Sequence, residues 1–165
     1  IIKNLYAATR QAAGDEIVII GCNTMSHLSA GFFEIQRTGD DTSGEDFSRT
    51  RKMGVNTLAF RMPQHEAFYA CDADCVGITR KVPWALNKKW LDVLSKSGTP
   101  LFVSIADDAF TPEVQADITA AFVRAAKPAQ VSKPPDWMEA QLPRLWESTY
   151  GTDEYDWQEG TNDLP

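Results

Sequence analysis

The chain has 165 residues, and the 43% that are hydrophobic suffice for one core and one domain of ordinary size. Its formal net charge of −7 and its pI near 4.8 argue against nucleic-acid binding, because the 16 Lys and Arg residues are scattered rather than clustered. No apolar run approaches the roughly 20 residues that a membrane-spanning helix requires, so we expect neither a nucleic-acid partner nor a membrane partner.

A helical pattern opens the sequence over residues 2–13, and Gly14 is a typical helix end. One face of this helix carries four side chains that should turn inward: Ile2, Leu5, Tyr6 and Thr9. Residues 16–21 (EIVIIG) form a continuous apolar run, which is typical of a strand buried on both faces of a parallel sheet. A polar connection follows, and residues 32–36 (FFEIQ) predict a second strand.

Charged residues follow this second strand. Arg37 comes directly after it, and Asp40 and Asp41 stand before the turn residues 42–44. Charge is costly at the buried end of a strand, and α/β barrels build active sites by placing such residues at the carboxyl ends of their strands. A surface loop with an Asp helix cap and a solvated Arg would contain the same residue types, so both interpretations stay open.

The alternation of helices and strands continues to residue 127. The predicted elements are a helix from Glu45 to Gly54, a strand over 56–62, a helix over 83–97, a strand over 101–105, and a helix that Thr111 caps and that runs to about Ala126. Four strands separated by helices predict an α/β fold with parallel pairing. Four such units make half of an eight-stranded barrel of ~250 residues, and an open flavodoxin-like sheet is the alternative. The Gly-rich phosphate-binding turn that often accompanies that sheet is absent from the sequence.

Residues 128–165 differ in composition from residues 1–127. They are rich in Pro, Trp and acidic residues and have little periodicity, which predicts an irregular tail pinned on the barrel by Trp137, Trp146 and Trp157. We therefore divide the sequence into a partial barrel over 1–127 and a C-terminal tail over 128–165.

The sequence predicts no metal and no cofactor. The three cysteines, Cys22, Cys71 and Cys75, are an odd number without a zinc-binding spacing, so we expect reduced thiols, although Cys71 and Cys75 could pair in an oxidising compartment. His65 and the acidic residues near it lack the spacing of a calcium-binding loop.

Three segments resemble the second half of the catalytic barrel of retaining α-galactosidases, the melibiase group of glycoside hydrolase family 36 and its relatives. They are GCNTMSHLSAGFFEIQRTGDDTSG (21–44), AFYACDADCVGIT (67–79) and TPLFVSI (99–105). The resemblance covers residues 1–105 and implies barrel strands five to eight, the C-terminal half of a (β/α)8 TIM barrel. Its most specific element is the Arg-x-x-x-Asp pattern of Arg37 and Asp41.

This resemblance implies a role for several residues. Asp41 would be the general acid/base, and its neighbour Asp40 is the rival that the spacing from Arg37 disfavours. The residues expected to contact or border the sugar are Arg37, Cys22, Asn23, Asp72 and Asp74. The implied partner is a carbohydrate substrate of the α-galactoside type.

The family's nucleophile, an Asp in a Lys-x-Asp motif, has no counterpart in the sequence. Retaining glycosidases need two carboxylates about 5–5.5 Å apart, one of them the nucleophile. We therefore expect a C-terminal fragment of a glycoside hydrolase that cleaves terminal α-galactosides, inactive on its own. A non-catalytic carbohydrate-binding or structural half-barrel is the alternative. Both the hydrolase fragment and the non-catalytic half-barrel would leave the edges of the sheet unpaired, which predicts self-association.

Overall fold

The computed structural model describes residues 1–128 and 130–158. The fold is mixed α/β with small sheets, and the strands of the described residues form no closed barrel. These strands are β1 (Ile20–Gly21), β2 (Ile35–Arg37), β3 (Ala70–Asp72), β4 (Cys75–Ile78), β5 (Phe102–Ile105), β6 (Leu145–Ser148) and β7 (Gly151–Glu154). The α-helices are α1 (Ile2–Ala13), α2 (Ser26–Ser29), α3 (Phe47–Arg49), α4 (Thr57–Arg61), α5 (Trp84–Lys96) and α6 (Pro112–Ala125).

Two parallel sheets carry the fold. The first has the strand order β1-β2-β3, and the second pairs β4 with β5. Only Ala73 and Asp74 separate β3 from β4, so the two sheets meet at this point. Parallel pairing, as the sequence predicts, brings the carboxyl ends of β1, β2 and β3 to one edge of the first sheet.

The main core lies around α5. Trp90 and Leu94 are fully buried there among residues of β4, α6 and the tail. Helix α6 begins as predicted, because the Thr111 hydroxyl accepts the amide hydrogen of Val114 at 3.2 Å and Pro112 fills the first helical position. The predicted positions of α1, α5, α6 and β5 are confirmed to within two residues.

The prediction of a strand over residues 56–62 is wrong. A continuous helical segment runs from α3 through a π-helical stretch (Thr50–Asn56), α4 and a 3-10 turn (Met62–Gln64). Val55, Leu58 and Met62 are buried at spacings of three and four, which is the period of a helix rather than a strand. The helix continues through Gly54 instead of ending there. A Cβ at this position would stand 2.9 Å from the Trp90 ring, so the glycine makes room for that ring.

Strands β3 and β4 lie where the sequence predicts a long loop. Asp72 and Asp74 interrupt an otherwise apolar stretch, and the break between the two strands falls at these acids. This stretch therefore forms two strands, and each of them is shorter than a typical strand of 5–6 residues.

The N-terminal part of the chain is less covered than predicted. Strand β1 has two residues rather than six, and Ile17, Val18 and Ile20 are exposed. Of the predicted inward face of α1, only Tyr6 is buried, while Leu5 is 62% exposed. The expectation of a strand buried on both faces is therefore wrong.

The tail is more regular than predicted. Strands β6 and β7 pair as an antiparallel hairpin. Trp146 and Trp157 are buried in the main core, and both indole N–H groups donate to the carbonyl of Pro143, at 3.1 and 2.7 Å. Ala129 and residues 159–165 of the predicted tail lie outside the described residues. None of the described helices is both long and apolar enough to cross a bilayer.

Candidate functional site

The predicted site residues collect at the carboxyl ends of β1, β2 and β3. Cys22 and Asn23 follow β1, Arg37 ends β2, and Asp72 ends β3. Arg37 and Asp72 are direct partners in the parallel register. The sheet therefore places these residues on one edge, although they are up to 50 positions apart in the sequence.

Gln36 fixes the loop after β1 to β2. Its side chain is buried, and its Oε1 accepts hydrogen bonds from the hydroxyls of Thr24 at 2.6 Å and Ser29 at 2.9 Å. Its Nε2 donates to the carbonyl of Gly21 at 3.1 Å. A Cβ at Gly21 would stand 2.5 Å from this Oε1, so a larger residue there would displace the Gln36 amide. The result is a fixed position for Cys22 and for Asn23, whose backbone has a left-handed φ of 54°.

Arg37 lies at the centre of the acidic groups. Its side chain is 12% exposed, and its guanidinium contacts Asp41 at 3.1 Å, Asp74 at 3.5 Å and Asp40 at 3.9 Å. Burial opposes its charge, but Asp74, Cys22 and Asp41 together raise the pKa of Arg37 above its usual value. Arg37 Nε is buried and has no hydrogen-bond partner among the described residues.

Asp40 and Asp41 differ in what holds them. The Asp40 carboxylate accepts the amide hydrogen of Asp41 at 2.8 Å and contacts the Arg49 guanidinium at 2.8 Å. These two bonds lower the pKa of Asp40. Asp41 meets Arg37 with one oxygen and is 60% exposed. Asp41 is thus the carboxylate with room for a ligand, while Asp40 holds its own loop, and Asp46 rather than Asp40 caps helix α3.

Asp72 and Asp74 are packed more closely. Asp72 is 6% exposed, and its carboxylate accepts the amide hydrogen of Asp74 at 2.8 Å. Burial raises the pKa of Asp72, and the neighbouring Asp74 adds to the shift. The Asp74 carboxylate accepts the amide hydrogen of Thr42 at 2.7 Å, and the Thr42 hydroxyl, 3.2 Å from the same carboxylate, donates to the carbonyl of Cys75 at 2.6 Å.

Sequence reasoning missed Gln36 and Thr42. Both are almost fully buried polar residues, at 1% exposure each. Gln36 ends the apolar run FFEIQ, and a polar residue at a buried strand end was the available signal. Thr42 has no such signal, because its partner Asp74 is 32 residues away in the sequence.

The other candidates form no second site. His65 is buried and structural, because its Nδ1 accepts the amide hydrogen of Cys71 at 3.0 Å and its Nε2 lies 3.1 Å from the carbonyl of Gly98. The cysteines are free thiols, and burial raises the pKa of Cys71 to about 12 and that of Cys75 to about 11. In the part of the chain that the structure describes, no three potential ligands are arranged to hold a metal ion.

Two surface cavities lie elsewhere. One, of about 460 Å³, lies between α5 and α6 and is lined by ion-paired residues such as Lys88 and Asp117. The other, of about 390 Å³, is lined mostly by apolar residues, including Met62 and Trp137. Neither is lined by Arg37 or Asp41, so the strand-end cluster is separate from both.

No protein-family model and no curated protein matches this chain. The resemblance to α-galactosidases therefore depends on the motifs themselves and on where the fold places them.

Proposed function

We propose that this chain is part of a retaining glycoside hydrolase that cleaves terminal α-linked galactosides, and that its strands correspond to the second half of a (β/α)8 barrel. Asp41 is the general acid/base, and Arg37 binds the sugar and orients Asp41. Cys22, Asn23 and Asp72 border the sugar. The nucleophile comes from a strand that is not part of this sequence.

One observation carries the proposal. Three consecutive parallel strands deliver Cys22, Arg37 and Asp72 to one edge, and Asp41 stands 3.1 Å from the Arg37 guanidinium with its carboxylate open to solvent. Active sites of α/β barrels lie at the carboxyl ends of the strands in this way. The Arg-x-x-x-Asp motif thus places the exposed carboxylate of Asp41, which a ligand can reach, directly beside the largely buried guanidinium of Arg37.

The chemistry requires a donor of protons and a nucleophile. A general acid protonates the glycosidic oxygen and later takes a proton from water, so it must be accessible to both. Asp41 is accessible, whereas Asp40 and Asp74 already bind backbone amides and cations. These contacts, together with the absence of a Lys-x-Asp motif from the sequence, are why we place the nucleophile outside the sequence.

The same observation favours a second candidate for the chain by itself. With Asp40 and Asp74 engaged, the strand-end cluster can bind a sugar without hydrolysing it. A non-catalytic carbohydrate-binding or structural half-barrel would have this arrangement. The two candidates agree on the ligand and differ on whether a nucleophile-bearing partner exists.

Open sheet edges are part of the proposal. Among the described strands, β1 pairs only with β2, and β5 pairs only with β4. Val18 beside β1 is 61% exposed, and Phe102 and Ile105 in β5 are each 36% exposed. Unpaired edges with apolar side chains recruit further strands, so we expect the isolated chain to self-associate.

A titration with methyl α-galactoside tests the proposed ligand. We expect saturable shifts of the backbone amide signals of Cys22, Arg37 and Asp72, and weaker shifts with methyl α-glucoside, which differs at one hydroxyl. Arg37→Lys should weaken binding, because lysine cannot form the two-pronged contact of a guanidinium. Arg80→Lys, at an exposed ion pair with Asp108, is the matched control.

A folded chain that binds neither sugar would contradict the proposed ligand. A separate assay measures release of nitrophenol from p-nitrophenyl α-galactoside. We expect none from the chain alone, because the carboxylates of Asp40, Asp72 and Asp74, which neighbour Asp41 among the described residues, already accept backbone amide hydrogens. Hydrolysis that depends on Asp41 would show that the nucleophile lies within this sequence.

A further inference from the structure

The turn of residues 72–74 reaches across to the loop that carries Asp41. At one end of that loop, Thr38 donates both its amide hydrogen, at 2.8 Å, and its hydroxyl, at 3.2 Å, to the carbonyl of Asp72. At the other end, Thr42 donates its amide hydrogen to the Asp74 carboxylate at 2.7 Å and its hydroxyl hydrogen to the carbonyl of Cys75 at 2.6 Å. The loop is therefore held on both sides of Asp41.

Asp74 reaches this position through an uncommon backbone conformation. Its φ is 66°, a left-handed value that costs a non-glycine residue about 1 kcal/mol or more. The Asp72 carboxylate stabilises this turn by accepting the Asp74 amide hydrogen at 2.8 Å. Asp72 thereby fixes the direction in which the Asp74 side chain points.

The two oxygens of Asp74 have separate partners. Oδ1 lies 3.5 Å from the Arg37 guanidinium, and Oδ2 accepts the amide hydrogen of Thr42 at 2.7 Å. One carboxylate thus joins the cation to the residue that directly follows Asp41. The side chain of Asp74 is 18% exposed, against 60% for Asp41, so a ligand has far less access to it.

Close backbone packing holds the rest of the loop. A Cβ at Gly39 would stand 2.0 Å from the carbonyl oxygen of Met53, and a Cβ at Gly44 would stand 2.1 Å from that of Gly77. Gly44 also has a left-handed φ of 79°. The backbone of the loop is therefore packed closely at Gly39 and Gly44, and the hydrogen bond from the Thr42 amide to Asp74 links it to a carboxylate that also reaches Arg37.

We propose that Asp74 is a positioning residue that holds Arg37 and the Thr42 end of the loop, and so sets the distance between Arg37 and Asp41. This inference rests on the proposed function only for the catalytic role of Asp41. It differs from the role that the resemblance implies, because Asp74 acts through Arg37 and Thr42 instead of touching the sugar.

Two substitutions separate the two contacts of Asp74. Asp74→Ala removes both, and we expect the Thr42 amide to exchange with solvent at least about tenfold faster, since a buried hydrogen bond is lost. Asp74→Asn keeps an oxygen for the Thr42 amide but loses the charge that faces Arg37. It should restore slow exchange at Thr42 while the Arg37 Nε–H signal in the ¹⁵N spectrum stays shifted. Asp108→Ala, at an exposed ion pair, is the control.

The outcomes are distinct. Unchanged exchange at Thr42 and an unchanged Arg37 signal in Asp74→Ala would overturn the inference. If Asp74→Ala does not fold, Asp74→Asn decides, because an Arg37 signal like that of the unaltered chain would overturn it. Methyl α-galactoside should bind Asp74→Asn at least about threefold more weakly than the unaltered chain, and equal binding would also overturn the inference.

The proposed function can fail without this inference. If the unaltered chain binds no galactoside, the assignment of the sugar is wrong. The exchange rate of Thr42 and the Arg37 signal then still decide whether Asp74 holds the loop.

Discussion

The two ends of the fold differ in how they cover their apolar side chains. In the C-terminal core, which comprises β4, β5, α5, α6 and the hairpin β6–β7, Trp90 and Leu94 are 0% exposed. In the N-terminal edge, which comprises α1 and residues 15–21, Leu5 is 62% and Val18 is 61% exposed. Fully burying such a side chain contributes roughly 1.5–3 kcal/mol. The C-terminal core therefore supplies most of the stability, while the N-terminal edge presents an apolar surface.

The strand-end cluster lies between these two regions. Cys22 directly follows the N-terminal edge in the sequence, and Asp74 directly precedes β4 of the C-terminal core. Arg37 lies between them and interacts electrostatically with both. The position of Asp74 therefore depends on the C-terminal core. The position of the loop that carries Cys22 and Asn23 depends on the less covered N-terminal edge.

The largest expected effect comes from removing a large side chain from the C-terminal core. Trp90→Ala should lower the free energy of unfolding by about 3–5 kcal/mol, because it leaves a cavity against Gly54 and the neighbouring helix. Leu5→Ala in the N-terminal edge should change it by less than about 0.5 kcal/mol. Urea denaturation of both variants measures the difference. Equal losses would show that Leu5 is buried in solution and would remove the contrast between the two regions.

The contrast also shows which parts of the fold the sequence could predict. Helices α5 and α6 were predicted because their apolar stripes face a core, and Thr111 and Pro112 mark the start of α6. The helix over 56–62 was not, because the short apolar run of these residues fits a strand and a helix equally well. The distinction depends on long-range packing, such as the approach of Trp90 to Gly54.

The site could be predicted only in part. The spacing of Arg37 and Asp41 is local, and the structure brings the two side chains together at 3.1 Å. The contacts of Asp74 join residues more than 30 positions apart, and no local pattern in the sequence predicts such contacts. Whether Asp41, Arg37, Cys22, Asn23, Asp72 and Asp74 serve a glycosidase stays a prediction.

A smaller effect is expected at His65, which joins the first sheet to the C-terminal core. This buried residue connects Cys71 of β3 to Gly98 after α5. Burial lowers the pKa of His65, against weaker opposing effects of the Gly98 carbonyl and of Glu66, whose carboxylate lies 4.0 Å away. A histidine whose pKa is lower in the folded state stabilises the fold above its unfolded pKa of about 6.5 and loses that contribution as the pH falls.

Stability should therefore fall between about pH 7 and pH 5, and part of that fall should disappear in His65→Gln. The exposed residue His27 provides the matched control, and His27→Gln should keep the pH dependence of the unaltered chain. Urea denaturation at several pH values measures both. A pH dependence that is the same in all three proteins would contradict a role of His65 in coupling the first sheet to α5.

The smallest effect on folding, and the most informative about the N-terminal edge, is expected from Val18→Lys. The side chain is exposed, so the free energy of unfolding should change by less than about 0.5 kcal/mol. A lysine beside an open strand edge discourages pairing with another chain. Sedimentation should therefore show less self-association for Val18→Lys than for the unaltered chain. Met138→Lys, at an exposed apolar residue of the tail outside the described strands, controls for the general effect of adding a charge. An unaltered chain that stays monomeric at high concentration would show that the exposed residues at and beside β1 do not pair with a second copy. The prediction of self-association would then be wrong.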